Sequence, residues 1–574
     1  MRHLRIGLNT VIAGSVFAAY LMVLFLQLNP AVPIHPASLA RLGASLFIWY
    51  GAWVALTFYV ALLVRQALAE TVLSPGWVSF QLLVWLCLVA SATAATLMWL
   101  NLSRLRVTLD EAAARQMAMG AVALTFCVAL LLVLGVFRFS FGRGGRTGPV
   151  AFGLVLAASV ALPLWLRGPA HAAERAGAPP VDSAPAFAAS PGARVTIVVI
   201  DGASLDYISP AVADGRLPNF GRIFDAGAVM HLATLRPTQP GPVLTAVATG
   251  KLPMRTGVRS AALYRVRLGG PALEVLPDFC LAHALVSAGL LDESPHSSAS
   301  LRARPLWTIL SASGLRAAVV RWPLTYPPRR LDGDLVTDHL HLVRPAGRAT
   351  YPPDLAARLR TRPEGPSTAS AAAAMEPAGA PPYPGGVALA LDRLYARAFD
   401  SVRDDAEAQL FAVRYVGVDT IGHAYLRQAM PRAFGDVPEE ERRRFGSVLE
   451  QYYRYVDAEI GRAMERLGRD DLLLVVSPFG MEPLSMPKRL LERVLGNPES
   501  GTHERAPDGF LMAFGSNVRP GRLRRASVLD VTPTVLYYFG LPIGRDMDGY
   551  ARTDVFTRAF TVARPLAFIP TYER

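Results

Sequence analysis

The sequence is poor in cysteine and lysine, and each shortage narrows the class of protein. Three cysteines in 574 residues are too few for a disulfide framework, which excludes the small disulfide-rich scaffolds. Lysine occurs only at Lys251 and Lys488, so the net charge of +13 comes almost wholly from arginine. No basic run has the form of a nuclear signal or a nucleic-acid-binding tail. We therefore expect no nucleic-acid partner.

Apolar residues are abundant and make up 52% of the chain, against 18% charged residues, with a mean hydropathy of +0.29. This composition excludes disordered and collagen-like chains and favours a membrane part joined to a soluble part. The first third of the chain consists mainly of apolar stretches of about 20 residues. Each is long enough to cross a hydrocarbon core of about 30 Å. They cover residues 8–28, 42–64, 78–100, 116–137 and 148–166. The sequence therefore predicts an α-helical membrane domain of five transmembrane helices over residues 1–167.

The arginines of the short loops favour a cytoplasmic N-terminus, because more of them lie on the side of Arg2 than on the opposite side. An odd number of spans then places the chain after Arg167 outside the cytoplasm. We expect a multi-pass protein of the inner (cytoplasmic) membrane, with the lipid bilayer as its partner and its soluble part on the non-cytoplasmic side. The sequence identifies no protein partner.

A linker rich in Ala, Pro and Gly, residues 168–193, leads into a soluble part over residues 194–574. In this part short β-branched runs alternate with helical patterns, which predicts an α/β domain with a largely parallel central sheet. The candidate strands are residues 195–200, 315–320, 410–415, 472–476 and 510–514. A low-complexity piece at residues 362–386 is predicted to be a surface insertion.

Side chains suited to bind a metal ion stand next to several of these strands. Asp201 ends the first run, Asp419 and His423 are four residues apart beyond the third run, and His503 precedes the last one. Each could be an ordinary turn residue when taken alone. Two histidines and a carboxylate from separate strand ends could also form a three-ligand zinc site with an open position.

The order of the motifs resembles the alkaline phosphatase superfamily, and most closely its type I phosphodiesterase/nucleotide pyrophosphatase-like branch of bacterial phosphohydrolases. The motifs are Ile-Asp201-Gly, Ala-Thr249-Gly250-Lys251, Asp419-x-x-Gly-His423, Ser477-x-x-Gly480-Met481 and Gly-Thr-His503. The resemblance implies two metal ions that activate a Thr or Ser nucleophile. It also implies that Asp419, His423 and His503 bind one ion, and that Asp201 is a remnant of the second ion's site.

The resemblance fails at the nucleophile and at the rest of the second metal site. Pro478 and Phe479 stand where the family has a ligand Asp and a ligand His, and neither side chain offers a lone pair to a cation. The family spacing places Pro240 at the nucleophile, or Gly241 after a slip of one residue. Thr238 could act as a relocated nucleophile only if its loop were re-formed.

Two functions remain open at this point. The first is a membrane-anchored phosphodiesterase-like protein whose two-metal site is degenerate and which is inactive or uses a single metal. It would hold at most one ion, of zinc or another divalent transition metal, and could bind a phosphate ester or lipid head group. The second is an active metal-dependent phosphodiesterase, or a phosphoryl or phosphoethanolamine-type transferase, acting on a membrane-associated phosphate ester. The joint loss of the nucleophile and the second-site ligands favours the first.

Overall fold

The computed structural model describes residues 2–68, 80–136, 147–169, 192–267, 269–360, 385–405, 407–435, 437–486, 488–490 and 499–573. The chain forms two compact units, of which one contains Met1–Arg175 and Ala262–Pro295, and the other Ala176–Ala261 and His296–Arg574. The predicted linker and the predicted insertion lie almost wholly outside the described residues. The predicted domain boundaries therefore stay a prediction, and residues 262–295 group with the N-terminal helices.

Apolar helices build most of the first unit. They are α1 (Arg2–Leu28), α2 (Pro36–Leu46), α3 (Ala52–Leu68), α4 (Leu82–Arg104), α5 (Glu111–Val136) and α6 (Thr147–Arg167). A π-helical turn, Phe47–Gly51, joins α2 to α3, so that Pro36–Leu68 forms one continuous span. The described residues thus contain five helices that are long and apolar enough to cross a membrane, by length and composition.

A buried arginine connects the last of these helices to the end of the first. Arg167 is 1% exposed, and its Nε donates to the carbonyl of Leu26 at 2.8 Å while its Nη2 donates to that of Asn29 at 3.0 Å. These carbonyls lie at the C-terminal end of α1, where helix carbonyls lack intrahelical donors. One turn earlier, Gln27 Nε2 donates to the carbonyl of Pro163 in α6 at 2.7 Å.

The strands, in chain order, are β1 (Val195–Ile200), β2 (Ala228–Ala233), β3 (Ala262–Val266), β4 (Ala272–Leu273), β5 (Leu291–Pro295), β6 (Ala317–Val320), β7 (Gly333–Val336), β8 (Thr350–Tyr351), β9 (Leu410–Tyr415), β10 (Leu472–Ser477), β11 (Glu482–Pro483), β12 (Gly501–Thr502), β13 (Gly509–Phe514), β14 (Gly521–Arg522), β15 (Ala526–Ser527), β16 (Ile543–Gly544) and β17 (Phe568–Ile569). The second unit is built on a mixed sheet of order β14-β2-β13-β10-β1-β9-β6-β7-β8, with β15 paired to β2. Strands β10, β1, β9, β6 and β7 are parallel, whereas β13 is antiparallel to both of its neighbours.

Helices cover both faces of this sheet, which explains why β1 is buried at every position. The longer helices of the second unit are Leu205–Ala213, Pro218–Ala226, Pro240–Thr249, Leu306–Ala312, Leu355–Arg360, Gly385–Asp405, Gly417–Ala429, Glu439–Phe445, Val448–Glu465, Val531–Tyr538 and Arg558–Ala563. Val199 packs into the core on one face, and Val198 packs into the core on the other. The predicted α/β domain with a largely parallel sheet is confirmed.

The residues 262–295 form an antiparallel sheet of order β4-β3-β5 within the first unit. Two asparagines at helix ends bind its backbone. The Oδ1 of Asn29 accepts from the amides of Glu274 and Val275 at 2.7 and 2.9 Å, and its Nδ2 donates to the carbonyl of Val275 at 2.8 Å. Asn101 forms an equivalent pair of bonds with the backbone of Asp278, at 2.6 and 3.0 Å. This segment therefore belongs structurally to the helical unit.

Candidate metal centre

The turn after β1 brings Asp201 next to the helix Gly417–Ala429. Asp201 is fully buried, and Gly202 follows it with φ +71°, a conformation that side chains other than glycine rarely adopt. A Cβ atom on Gly202 would lie 2.8 Å from the Cα of Asp419. The glycine therefore permits the close approach of two strand ends that carry carboxylates.

The helix Gly417–Ala429 presents Asp419 and His423 one turn apart, on the same face. The Nε2 of His423 lies 3.8 Å from Oδ2 of Asp419. The start of this helix is held by the buried Asp392, whose carboxylate accepts from the amides of Gly417 and Val416 at 3.1 and 3.4 Å. The position of both side chains thus depends on a capping residue from a different helix.

The third member of the group, His503, follows β12. Its Nδ1 lies 3.3 Å from the carbonyl of Thr238, and Nδ1 of His423 lies 2.8 Å from the carbonyl of Gly501. A ring whose Nδ1–H donates to a carbonyl keeps the lone pair of its Nε2 available, which is how histidines that bind metals are usually held. The ligand atoms of Asp419, His423 and His503 lie within 4.8 Å of one another.

The electrostatics of the group favour a bound cation. Burial raises the pKa of Asp419, the Asp201 charge acts in the same direction, and the two histidines lower it. One oxygen of each carboxylate, Oδ1 of Asp419 and Oδ1 of Asp201, is buried without a hydrogen-bond donor. Buried carboxylate oxygens without donors are costly unless a cation satisfies them. Asp419, His423 and His503 are the only such three-ligand group in the described part of the chain.

Asp201, however, already has a cationic partner that sequence reasoning did not anticipate. Arg414, on β9, donates from Nε to Oδ2 of Asp201 at 2.9 Å and from Nη2 to the same oxygen at 2.5 Å. The side chains of Arg414 and Asp201 are 11% and 1% exposed. Burial lowers the pKa of Arg414, but the charges of Asp201, Asp338 and Asp419 outweigh it, so that the net shift is upward.

The positions expected to hold further ligands are occupied by nonpolar side chains. Phe479 is fully buried, and its ring centroid lies 5.0 Å from that of His503 with the planes at 49°. Pro478 immediately follows β10. The aromatic ring therefore packs against His503 at the position where the resemblance implies a ligand histidine.

The predicted nucleophile region lies beside His503 but offers it no hydroxyl. Pro240 is the first residue of the helix Pro240–Thr249, followed by Gly241. The relocated candidate, Thr238, is 3% exposed, and its hydroxyl donates to the carbonyl of Leu235 at 3.0 Å. The backbone carbonyl of Thr238 lies 3.3 Å from Nδ1 of His503. Its role as a nucleophile stays a prediction.

Two further histidines, His339 and His341, follow β7 and bind other groups. Nδ1 of His339 lies 3.0 Å from Asp338, whose carboxylate raises the histidine's pKa, and the ring stacks on Tyr326 at 4.7 Å. Nδ1 of His341 lies 2.9 Å from the hydroxyl of Tyr395. These contacts account for both side chains without a metal.

One family model and two solved structures match the chain. The family model described as type I phosphodiesterase/nucleotide pyrophosphatase matches residues 195–525. Two solved structures of murine ectonucleotide pyrophosphatase/phosphodiesterase 5 align with the chain, one of them an inactive variant in complex with AMP. Their sequence identities are 12% and 13% and their TM-scores 0.37 and 0.35, and each alignment covers 63% of this chain and 100% of the solved one.

No curated protein sequence matches the chain. The family match covers more than half of the 574 residues and includes Asp201, Asp419, His423 and His503. It confirms the resemblance that the motif order indicates. The chain belongs to the type I phosphodiesterase/nucleotide pyrophosphatase family, a branch of the alkaline phosphatase superfamily.

Proposed function

We propose that this chain is a membrane-anchored member of its family that binds one divalent transition-metal ion and recognises a phosphate ester without the family's two-ion hydrolysis. The observation that carries the proposal is the convergence of Asp419, His423 and His503 at a place where the second set of ligands is lost. The ion would be held by these three side chains.

The donor set fits zinc best among the common divalent ions. Two imidazole nitrogens and a carboxylate oxygen are typical of zinc sites, and three protein ligands leave a coordination position open for a ligand. Such an ion supplies Lewis-acid chemistry, which polarises a phosphoryl oxygen. The carbonyls of Gly501 and Thr238 orient the rings of His423 and His503, because each carbonyl determines which nitrogen its ring would offer to the ion.

Under this proposal, the chain lacks the side chains that two-ion hydrolysis would require. Pro240 and Gly241 have no nucleophilic atom, and Pro478 and Phe479 have no donor atom. A site that retains an ion but lacks these groups would bind a phosphate ester for a structural, sensory or partner-binding role. We place the ester at the membrane, as a lipid head group or a soluble ester, because the apolar helices would hold the site there.

One observation favours the alternative of an active single-ion enzyme. Thr238 is adjacent to His503 through its backbone carbonyl, so a re-formed loop around Thr238 could present its hydroxyl to the ion. In that case the protein would be a phosphodiesterase or a phosphoryl or phosphoethanolamine-type transferase. Thr238 or a metal-bound water would be the nucleophile.

We also propose that the five apolar helices cross the inner membrane and that the soluble unit lies on the non-cytoplasmic side. The arginine distribution of the short loops supports this orientation. A reporter enzyme fused after Glu573 tests it. If the reporter is one that functions only in the cytoplasm, activity of the fusion would contradict the orientation.

The metal proposal is tested by metal content and turnover of the full chain purified in detergent. We expect one zinc ion per chain, lost or bound at least about 10-fold more weakly in His503→Ala. His231→Ala, which changes an exposed histidine of β2, is the matched control and should bind zinc as the wild type does. We expect no hydrolysis of bis(p-nitrophenyl) phosphate.

Two bound ions together with turnover that depends on His503 would refute the proposal. Turnover with one ion would instead support the active alternative, and Thr238→Ala then separates its two forms. Loss of that turnover would identify Thr238 as the nucleophile, whereas unchanged turnover would leave a metal-bound water in that role.

A further inference from the structure

The residues do not fit a second metal ion, because the place of that ion is held by an arginine. Arg414 lies in β9 and pairs with Val199 of the neighbouring strand β1. Val199 precedes Asp201 by two residues. It thereby reaches Asp201, the one residue that the family's second site retains in this chain. Two nitrogens of its guanidinium bind one oxygen of that carboxylate.

This pair opposes a second ion on electrostatic grounds, although Oδ1 of Asp201 itself has no hydrogen-bond donor. A dication bound by Asp201 would lie next to a guanidinium that is itself nine-tenths buried, at a distance where like charges repel strongly in a medium of low dielectric constant. Displacing the guanidinium instead would leave it buried without its carboxylate, which is strongly unfavourable. Neither Pro478 nor Phe479 would offer the ion a compensating donor atom.

The guanidinium also retains a donor for a ligand. Nη1 of Arg414 has no hydrogen-bond partner among the described residues, while Nε and Nη2 are engaged by Asp201. The charges of Asp419 and Asp338 act on Arg414 as well, so that it lies within the electrostatic field of the ligand group. Guanidinium groups bind phosphate oxygens readily because their N–H groups are planar and permanently charged.

We propose that Arg414 is a built-in substitute for the second metal ion: it limits the chain to one ion and supplies the second positive charge that a phosphate ester requires. The inference rests on the proposed function for the one bound ion. The exclusion of a second ion and the contact with phosphate rest on the Arg414–Asp201 pair. The ligand class is the anion of a phosphate mono- or diester, with its oxygens shared between the ion and Nη1.

Metal stoichiometry of the full chain in detergent, measured by elemental analysis and zinc titration, tests the exclusion. The variant Pro478→Asp/Phe479→His restores both lost ligands but keeps Arg414, and we expect it still to bind one ion. Adding Arg414→Ser to it frees Asp201, and we expect two ions. Two ions with Arg414 present, or one ion in the folded triple variant, would overturn the proposal.

A milder variant protects the test against misfolding. Asp201→Asn keeps an acceptor for Arg414 and leaves Asp419, His423 and His503 in place, so zinc stoichiometry should stay at one. A fall to less than one ion would overturn the proposal. A wild type that binds no zinc at all would instead refute the proposed function, which separates the two failures.

Phosphate binding gives a readout that a purely structural ion pair would not change. Inorganic phosphate should bind the zinc-loaded wild type and bind Arg414→Gln at least about 10-fold more weakly, with Arg414→Lys recovering part of the affinity. Arg316→Gln, which changes a half-exposed arginine near Asp332, is the control. Equal phosphate affinity in the wild type and a folded, one-ion Arg414→Gln would overturn the role in ligand binding.

Discussion

The helix Gly417–Ala429, which carries Asp419 and His423, is held at its start by a buried ion pair, and breaking that pair should destabilise the second unit severely. Asp392 is fully buried, and its carboxylate accepts from Arg321, from the hydroxyl of Tyr452 and from the Gly417 amide. Burial raises the pKa of Asp392, while Arg321 and the amides lower it. We consider the replacement Asp392→Leu, which removes the charge and every acceptor at once.

The magnitude follows from what the substitution leaves behind. Arg321, 8% exposed in its side chain, would lose the one carboxylate that it contacts among the described residues, and stranding such a charge costs about 3–5 kcal/mol. Loss of the acceptor at the helix start adds about 1 kcal/mol. We therefore expect Asp392→Leu to lower the free energy of unfolding by about 4–6 kcal/mol.

The double variant Arg321→Met/Asp392→Leu separates these contributions, since it removes the stranded charge and leaves only the missing acceptor. We expect it to lose about 1–2 kcal/mol. Asp400→Leu is the matched control on the same helix, because Asp400 forms a partly exposed pair with Arg466 and should cost less than about 1 kcal/mol.

Urea unfolding of the full chain in detergent, followed by pulse proteolysis of the second unit, measures these differences. Zinc affinity should fall in the single variant, because the start of the helix that carries Asp419 and His423 is no longer held. A loss below about 1 kcal/mol in Asp392→Leu, or an equal loss in the single and double variants, would refute the reasoning.

Three further predictions concern separate parts of the chain. Gly417→Ala should destabilise the second unit by about 1–3 kcal/mol, because the added Cβ would lie 2.0 Å from the Tyr452 hydroxyl; an unchanged urea midpoint would contradict this. Asn101→Leu should increase proteolysis of the three-stranded segment that this asparagine binds, whereas wild-type cleavage rates would contradict the contact. The hydrogen bond from Arg552 lowers the pKa of Asp554, so the stability difference between wild type and Asp554→Asn should be full above the unfolded-state value of about 3.9 and vanish as the pH falls through the lowered folded-state pKa; a pH-independent difference would contradict this.

The central strands could be predicted because their residues report burial directly. The runs at 195–200 and 410–415 became β1 and β9 with the same bounds, since each is almost wholly apolar and packs between two helical layers. The antiparallel direction of β13 could not be read, because strand direction depends on the connections and not on composition. The apolar spacing over residues 442–467 has the period of a single helix, but the structure forms two, Glu439–Phe445 and Val448–Glu465, separated by Gly446 and Ser447.

The ligand group was predictable for a different reason. Asp419 and His423 have helical spacing just beyond a buried strand, so their pairing needed no knowledge of packing. His503 joins them because β13 runs antiparallel to β10 and therefore begins at the edge where the parallel strands end. Arg414 was not predicted because it lies inside a strand, and its partner is fixed by the register of two strands far apart in sequence. A charged residue within a buried run was the available signal, since arginine is rarely buried without a partner.

The segment 262–295 lies within the region that the family model matches, but its apolar residues depend on the N-terminal helices for burial. Apolar residues of this segment, among them Leu273, Val275 and Leu291, are buried in one core with residues of α1, α4 and α5. A fragment beginning at Arg194 would expose this apolar face to water and would be prone to aggregate. During synthesis, by contrast, the helices precede the segment and can receive it as it emerges. The apolar helices therefore pack against a stretch that lies within the region matched by the family model.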